Sequence, residues 1–474
     1  MGVVDADVWL AMQRLGSLDP GPDAVAAALD ALRAAGPSAP EIAGRLVQGK
    51  VAQLAAANLA PADRDGPLAG ELRALLADHL RELAPWRRDA EPHVRAVLAL
   101  AAGHGGRVMK GLATRRLYPD AALRHLGDVD LHFPALDLAL PCLRAMRDAG
   151  WAWDPLEVPW IKWDERGTPY GQWGLARDIG HALPVRVDVH VGPYSVGHLG
   201  LLPVLGFTDG CVEGVRLPCT GPEVSLAVLA AHAETESLLS FKDVNDAYVL
   251  GRAGPIDWQS TRELCRAAGV ERALAELMAR VRAAYGIPEA HAPRAWSVPT
   301  RRVGRLRRAL RTVRLTFRQE RRRRSAAAAL ARLPGCFRYF TADLRPRARD
   351  RAGPRPAGRL RRRWLCWRLL PESIWSHLGP APPAGARAAP GEVLAGGLEL
   401  LDDGRACVAR LGGDVFVPTL WGPVSRRALA LAAVHRERPS PLAAEGASLS
   451  RRTPGPGRFG GRPTPGTGAG PAPP

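Results

Sequence analysis

The chain has 474 residues, of which 46% are hydrophobic and 24% charged, a composition typical of a globular protein with two or three domains. Its seven cysteines are scattered and form no CxxC pair, which argues against a disulfide framework or a zinc site and favours a reducing compartment. No apolar run reaches the length of a membrane span, and the first residues lack the basic segment of a signal peptide, so we expect a cytoplasmic protein with no membrane partner.

The net charge of +18 comes from one segment of the chain. Residues 301–370 contain 24 arginines, no lysine and three acidic residues, so this segment carries +21 and the remainder −3. Two explanations stay open. Arginines neutralise the phosphates of RNA or DNA, but genomes of high G+C content also encode Arg where others encode Lys. The basic charge is therefore relevant to a possible nucleic-acid partner of residues 301–370, and it gives no information about the function of the rest of the chain.

The first hundred residues are predicted to be helical. Ala, Leu and Arg recur at three- and four-residue spacing, and proline-containing breaks separate the periodic runs, one of them at Pro85. This pattern predicts an N-terminal helical region over 1–105, with helices at 24–35, 41–59, 68–83 and 93–103.

Residues 127–133, GDVDLHF, alternate between polar and apolar side chains as a half-buried strand does. A strand directs Asp128 and Asp130 to one face, where the two carboxylates repel each other by about 4 kcal/mol at ~4 Å. Such a pair persists in a fold because a cation lies between them, because they share a proton, or because water screens both. Paired carboxylates suit Mg²⁺, which binds one or two of them together with substrate phosphates.

A second motif precedes this strand. Lys110-Gly111 follows an apolar pair and begins a segment that can be helical. Glycine at such a turn lets backbone N–H groups approach an anion closely, and the lysine adds a positive charge for phosphate. A phosphate-binding turn followed by a carboxylate pair suggests nucleotide chemistry, although an Asp-x-Asp strand alone is more often a solvated edge.

The ordered set Lys110-Gly111, Leu117-Tyr118-Pro119-Asp120, Arg124 and Asp128-Val129-Asp130 resembles the core signature of the uncharacterised nucleotidyltransferase family, within the polymerase-beta-like superfamily. The helical pattern after residue 222 is similar to the helical half of the same family, so the resemblance covers about 40–290. One departure is evident, because the superfamily usually has Gly-Ser or Gly-Gly in the phosphate turn and this chain has Gly111-Leu112.

A second strand offers a further carboxylate. Residues 185–191, VRVDVHV, alternate strictly, with valines on one face and Arg186, Asp188 and His190 on the other. Asp188 is therefore a candidate third ligand. His132 and His190 lie on the two acid-bearing faces, where they could touch substrate or tune a metal.

The resemblance implies roles for these residues. Asp128, Asp130 and Asp188 would be the catalytic and metal-binding residues, holding Mg²⁺ (two ions, with Mn²⁺ as a possible substitute), and Asp188 could accept the proton of the attacking hydroxyl. Lys110, Gly111 and Arg124 would bind the nucleotide. For Arg124, a structural salt bridge is an equally reasonable interpretation.

The predicted fold class is α+β, a small mixed-sheet nucleotidyltransferase core flanked by N-terminal and C-terminal helical regions, with a small β-containing appendage. The predicted boundaries after the N-terminal region are a catalytic core at 106–215, a helical domain closing the site at 216–300, an Arg-rich helical segment at 301–378, an appended unit at 392–434 and a disordered tail at 435–474.

The sequence thus predicts a magnesium-dependent nucleotidyltransferase that moves an NMP from an NTP such as ATP to a hydroxyl-type acceptor and releases pyrophosphate. The acceptor, a small molecule, peptide or protein, is not specified by the sequence. The alternative is a weakly active or inactive protein of this fold that binds nucleic acid or a protein through its Arg-rich segment. A third hypothesis assigns acceptor recognition to residues 392–434.

Overall fold

The computed structural model describes residues 6–286, 367–376 and 391–436, apart from short gaps at 62–65, 156, 164–167, 198–199, 204–205, 237–239, 269, 394–397, 403–405 and 420–425. The predicted Arg-rich segment, up to residue 366, and the predicted tail from residue 437 lie outside the described residues. Helices, one large mixed sheet and a separate two-stranded antiparallel sheet make up the described part, which confirms the predicted α+β class.

Five helices precede the first strand. They are α1 (Ala6–Leu15), α2 (Pro22–Ala35), α3 (Ala39–Gln48), α4 (Ala52–Leu59) and α5 (Pro67–Gly103). The predicted break at Pro85 is wrong, because α5 continues through both Pro85 and Pro92. Tertiary contacts hold the helix together at this point, since Trp86 is buried and its Nε1 donates a hydrogen bond to the carbonyl of Leu183 at 2.7 Å.

The sheet begins at β1 (Arg107–Val108), followed by the short helix α6 (Lys110–Arg115), a 3₁₀ turn (Ala121–Leu123), β2 (Val129–Phe133) and α7 (Leu136–Asp148). The next strands are β3 (Ala152–Trp153), β4 (Trp160–Trp163), β5 (Pro169–Arg177), β6 (Val185–Val191), β7 (Tyr194–Gly197), β8 (Gly200–Pro203), β9 (Phe207–Val212) and β10 (Val215–Thr220). The half of the sheet that lies in the predicted catalytic core has the order β4-β5-β6-β2-β1-β10-β9. Strand β5, which the sequence did not predict, lies beside β6 and therefore borders the candidate site.

Among the described residues, β10 is followed by the helices α8 (Pro222–Glu236), α9 (Phe241–Arg252), α10 (Trp258–Ala267) and α11 (Glu271–Tyr285). Ser240 caps α9, accepting from the N–H of Asp243, while the Asp243 carboxylate accepts from the N–H of Ser240. This capping box fixes the start of α9, whose buried residues Val244 and Leu250 pack in one core with α8 and α11. None of the described helices is both long and apolar enough to cross a membrane.

The C-terminal elements are β11 (Trp367–Leu370), α12 (Glu372–Trp375), β12 (Gly391–Val393), β13 (Leu398–Asp402), β14 (Cys407–Leu411), β15 (Asp414–Thr419) and α13 (Arg426–Arg436). They continue the main sheet, because β11 pairs antiparallel with β4 on one side and with β15 on the other. Phe416 of β15 belongs to the same hydrophobic core as Trp153 and Trp173. The segment predicted as an appendage is therefore packed directly against the catalytic half of the sheet.

Candidate active site

The turn from β1 into α6 places a lysine over the sheet. The N–H of Met109 donates to the carbonyl of Asp130 at 3.1 Å, which fixes the end of β1 against β2. Lys110 follows with φ +51°, a left-handed conformation that favours glycine. A lysine kept in a strained conformation suggests that its side chain is needed there, since strain of this kind concentrates at functional sites.

Parallel pairing of β2 with β6 brings the acidic residues of the two strands together. Asp130 is the register partner of Asp188, and His132 is the register partner of His190. The apolar residues that alternate with them are buried on the opposite side of the sheet, where Val129, Leu131, Val187 and Val189 join the hydrophobic core. The alternation of polar and apolar residues in β2 and β6 therefore places the side chains of Asp130, His132, Asp188 and His190 on one face of the sheet.

Three of the side chains meet at one point. Lys110 Nζ donates to Asp130 Oδ1 at 2.6 Å, and His190 Nε2 lies 3.1 Å from both of these atoms. A single ring nitrogen cannot donate to the carboxylate and accept from the ammonium at once, so the tautomer of His190 decides which contact is a hydrogen bond. Gln172 on β5 donates from Nε2 to Asp188 Oδ2 at 2.9 Å, which orients the second carboxylate.

The charges around the two carboxylates shift their pKa values in opposite directions. Burial alone would raise the pKa of Asp130, but Lys110 and the hydrogen bond from His190 hold it below its usual value. The pKa of Asp188 is raised well above its usual value by burial, and the negative charges of Asp130 and Asp128 add to the increase. Asp130 is thus paired directly with a cation, whereas Asp188 forms no ion pair with the described residues and is influenced by Lys110 only from a greater distance.

This imbalance fits a site that receives a metal ion. Asp130, Asp188 and His190 each offer a ligand atom, and the three atoms lie within 4.8 Å of one another. All three residues are buried, and the ammonium already placed on Asp130 shows that the position accepts positive charge. A divalent cation here would compensate Asp188 as well, and the donor set of two carboxylates and one imidazole is suited to one.

Asp128, the remaining predicted metal ligand, occupies a different position. It immediately precedes β2, is exposed, and is not part of the group formed by Asp130, Asp188 and His190. Its charge nevertheless raises the pKa values of Asp188 and Lys110, so it lies near the cluster. The strand starts two residues later than the alternating pattern of residues 127–133 suggested.

The structure places Arg124 in a buried ion pair. Its Nε and Nη2 donate to the two carboxylate oxygens of Asp246 on α9, both at 2.8 Å. Tyr118 and Lys242 also donate to this carboxylate, at 2.8 and 3.1 Å. These contacts support the structural interpretation of Arg124, because they tie the loop before β2 to the helical half.

Gly111 lies against the same guanidinium. A methyl group at Gly111 would come within 3.1 Å of Arg124 Nη1, so the absence of a side chain permits this close packing. Gly111 lies within α6, directly after Lys110 in the chain and in packing contact with Arg124. Lys110 contacts Asp130, and Arg124 contacts Asp246. The predicted nucleotide-binding residues are therefore adjacent in space, but the side chains of Lys110 and Arg124 bind different carboxylates.

Gln172 was missed by the sequence analysis, and the signal for it is weak. It lies on β5, whose sequence PYGQWGLAR lacks a regular alternation of polar and apolar residues. His190 was noted beside Asp188, but its membership in the ligand group follows only from the β2–β6 register.

Comparisons with known proteins bear on the fold and the family. No curated protein gives a significant match. Among solved structures, the chain is similar to an antigenic nucleotidyltransferase-like protein from Paracoccidioides brasiliensis, with 16% sequence identity and a TM-score of 0.25 over 42% of this chain and 95% of the other. A likeness at that TM-score carries no argument here. Residues 40–286, just over half of the chain, match the sequence profile of the uncharacterised nucleotidyltransferase family, and the chain belongs to that family.

Proposed function

We propose that the protein is a divalent-metal-dependent nucleotidyltransferase that moves an NMP from an NTP to a hydroxyl-type acceptor and releases pyrophosphate. The observation that carries the proposal is the group Asp130, Asp188 and His190 with Lys110 beside it, inside the region matched by the family. Family membership makes a nucleotide the expected substrate, and the buried carboxylates give a reason for metal dependence.

Each residue is assigned a role in binding. Asp130, Asp188 and His190 hold a divalent cation, with Mg²⁺ or Mn²⁺ as candidates. Asp128, exposed and close by, is available to a second ion that arrives with the triphosphate. When bound, such cations neutralise phosphate charge and lower the pKa of an attacking hydroxyl.

The reaction is an in-line displacement at the α-phosphorus. The acceptor oxygen forms a new bond to phosphorus while the bond to the β-phosphate oxygen breaks, and pyrophosphate leaves with the electron pair. Asp188 is the candidate acceptor of the hydroxyl proton, because burial and its acidic neighbours already raise its pKa. Lys110 stabilises the negative charge that develops on the phosphates.

A calorimetric titration with Mg²⁺ or Mn²⁺ and each NTP tests the proposal. We expect metal-dependent NTP binding by the natural protein and a loss of at least about tenfold in affinity for Asp130→Asn and Asp188→Asn, because each removes a buried ligand charge. Asp209→Asn is the matched control, since Asp209 is an exposed acid on β9, away from the ligand group.

The transfer step needs its own measurement. Incubating the protein with cell extract and an NTP labelled at the α-phosphate should move the label to an acceptor, which mass spectrometry then identifies. If the natural protein binds no NTP with either metal, or if the aspartate variants match Asp209→Asn, the proposal is wrong. Salt-sensitive nucleic-acid binding that survives loss of the aspartates would instead support a binding protein.

A further inference from the structure

A cluster of basic residues surrounds His125, beside the ligand group. Four cations influence this imidazole, and they come from four separate segments of the chain. They are Lys50 in the turn between α3 and α4, Arg87 on α5, Arg124 in the loop before β2, and Lys242 in the first turn of α9. We call these residues, together with His125, the His125 cluster.

The charges of the cluster are only partly compensated. Lys242 and Arg124 share the carboxylates of Asp243 and Asp246. Lys50 is exposed and forms no ion pair with the described residues, and Arg87 contacts a backbone carbonyl, that of Ala122, at 3.1 Å. Burial and then the charges of the neighbouring cations, beginning with Lys50, together lower the pKa of His125 to about 3. The cluster therefore carries an excess of positive charge around a neutral imidazole.

Specific packing holds Lys50 at this place. The carbonyl of Gly49 accepts from the N–H of Lys242 at 3.1 Å, which joins the α3–α4 turn to the start of α9. A methyl group at Gly49 would lie 2.3 Å from the Phe241 ring, so only glycine permits the contact. Lys50 itself has φ +61°, a conformation in which glycine would be less strained. A non-glycine residue that is exposed to solvent is thus fixed next to Lys242.

The cluster adjoins the proposed reaction centre from two sides. Arg124 packs against Gly111, the neighbour of Lys110. His125 is five residues before Asp130 and three before Asp128, so the chain cannot separate it from them by more than about 17 Å and 11 Å respectively. An anion extending from the carboxylate site past Gly111 would therefore come to Arg124 first, and the other cations of the cluster act on His125, the next residue along the chain.

We propose that the His125 cluster binds the β- and γ-phosphates of the NTP, with Lys50 of the N-terminal helices as the principal unpaired charge. The inference rests on the proposed function. It assigns the N-terminal helices a part in substrate binding, and it explains why like charges from several segments converge near the carboxylates. A triphosphate is favoured over an RNA backbone because Arg124 of the cluster packs against Gly111, the neighbour of the Lys110 that contacts Asp130.

The test uses the full-length protein and inorganic tripolyphosphate in calorimetry without divalent metal, so that the cluster is probed apart from the metal site. We expect Lys50→Gln and Lys50→Gly to weaken tripolyphosphate binding about fivefold to twentyfold, and Lys50→Arg to retain it. Lys50→Gly should also raise the melting temperature, because it relieves the positive φ. Arg33→Gln on α2, which removes another exposed cation, is the matched control and should bind as the natural protein does.

The outcomes separate this inference from the proposed function. If the natural protein does not bind tripolyphosphate, or if Lys50→Gln binds it as tightly as Arg33→Gln does, the inference is overturned even when NTP transfer is observed. The inference is also overturned if the protein binds single-stranded RNA in a manner that depends on Lys50 but does not bind tripolyphosphate. Loss of tripolyphosphate binding in Lys50→Gln supports it even if no transfer occurs, in which case only the proposed function fails.

Discussion

The ammonium of Lys110 lies 2.6 Å from Oδ1 of Asp130, a carboxylate that also belongs to the proposed metal-ligand group. An ammonium and a divalent cation cannot both occupy the space in front of one oxygen. Lys110 therefore compensates Asp130 in the structure and would have to move if a cation bound at Oδ1. The triphosphate that would accompany the metal offers the displaced ammonium a new partner.

The first prediction concerns Lys110→Gln. Removing the ammonium leaves Asp130 buried without its cation, so the free energy of unfolding of the metal-free protein should fall by about 1–3 kcal/mol, less than for a fully buried pair because Lys110 is partly exposed. Because Lys110 no longer competes, Mn²⁺ should stabilise the variant more than it stabilises the natural protein. Urea denaturation with and without Mn²⁺ measures both effects. Arg81→Gln, which removes an exposed cation, is the control. If Mn²⁺ stabilises the natural protein, Lys110→Gln and Arg81→Gln equally, Lys110 does not compete with the metal for its site.

The second prediction concerns Asp188→Asn and pH. The pKa of Asp188 is raised in the folded protein, chiefly by burial, so the folded state binds more protons than the unfolded state above about pH 4. The free energy of unfolding should therefore fall as pH rises from 4 towards neutrality. Asparagine cannot ionise, so the variant should lack this decline and be more stable than the natural metal-free protein at pH 7, by about 0.5–2 kcal/mol.

Metal provides the control for this experiment. The cation should raise the melting temperature of the natural protein and leave that of Asp188→Asn unchanged, because a ligand charge is missing. A variant less stable than the natural protein at pH 7, with the same pH dependence, would contradict the assignment of an uncompensated carboxylate at Asp188.

The sequence was sufficient for some parts of the site and insufficient for others. Alternation within β2 and β6 is a local property, so the faces of Asp130 and Asp188 could be predicted, and the parallel pairing of these strands makes the two residues neighbours. The start of β2 at Val129 is set by its partners, and this leaves Asp128 just outside the strand.

Long-range partners explain the remaining differences. Arg124 and Asp246 are 122 residues apart, and no local pattern predicts that one carboxylate would receive a guanidinium, a phenol and an ammonium. In β5, glycines at 171 and 174 interrupt the alternation. They are required because a side chain there would collide with the backbone of Trp160 or Glu157.

The third prediction concerns the choice of metal. The ligand group combines two carboxylates with the imidazole of His190, whereas Mg²⁺ prefers oxygen ligands alone. Mn²⁺ should therefore bind more tightly than Mg²⁺, by about tenfold or more, in calorimetry. His190→Gln replaces the nitrogen with an amide and should reduce this difference, while His79→Gln on α5 should preserve it. Equal affinities for the two ions in the natural protein would exclude His190 as a ligand.

The fourth prediction concerns Arg124 and Asp246. Breaking this buried pair with Arg124→Met leaves a carboxylate with fewer partners, so the free energy of unfolding should fall by about 3–5 kcal/mol. Arg124→Met combined with Asp246→Leu should be less destabilising than the sum of the two single changes, because neither charge is then left alone. If Arg124→Lys loses NTP affinity while its urea denaturation is unchanged, Arg124 contributes to phosphate binding within the His125 cluster and not to stability.

The fifth prediction concerns the contact between the C-terminal strands and the catalytic half. Phe416 is fully buried, and its ring lies edge-on to Trp153 and Trp173, with centroids 5.2 and 5.8 Å apart. Arg147 on α7 adds a bidentate ion pair with Asp414, at 2.9 Å for both contacts. The C-terminal strands therefore cover apolar side chains of β3 and β5 that would otherwise be exposed.

Phe416→Ala should lower the free energy of unfolding by about 3–5 kcal/mol, since it leaves a cavity between two tryptophans. Leu183→Ala is the control, because Leu183 is a large exposed side chain and its loss should cost less than about 0.5 kcal/mol. Urea denaturation followed by tryptophan fluorescence should show one cooperative transition, in which residues 367–436 unfold together with the strands that precede residue 221. Two separate transitions, with only the later one affected by Phe416→Ala, would mean that residues 367–436 fold independently and are free to act as an acceptor-binding module.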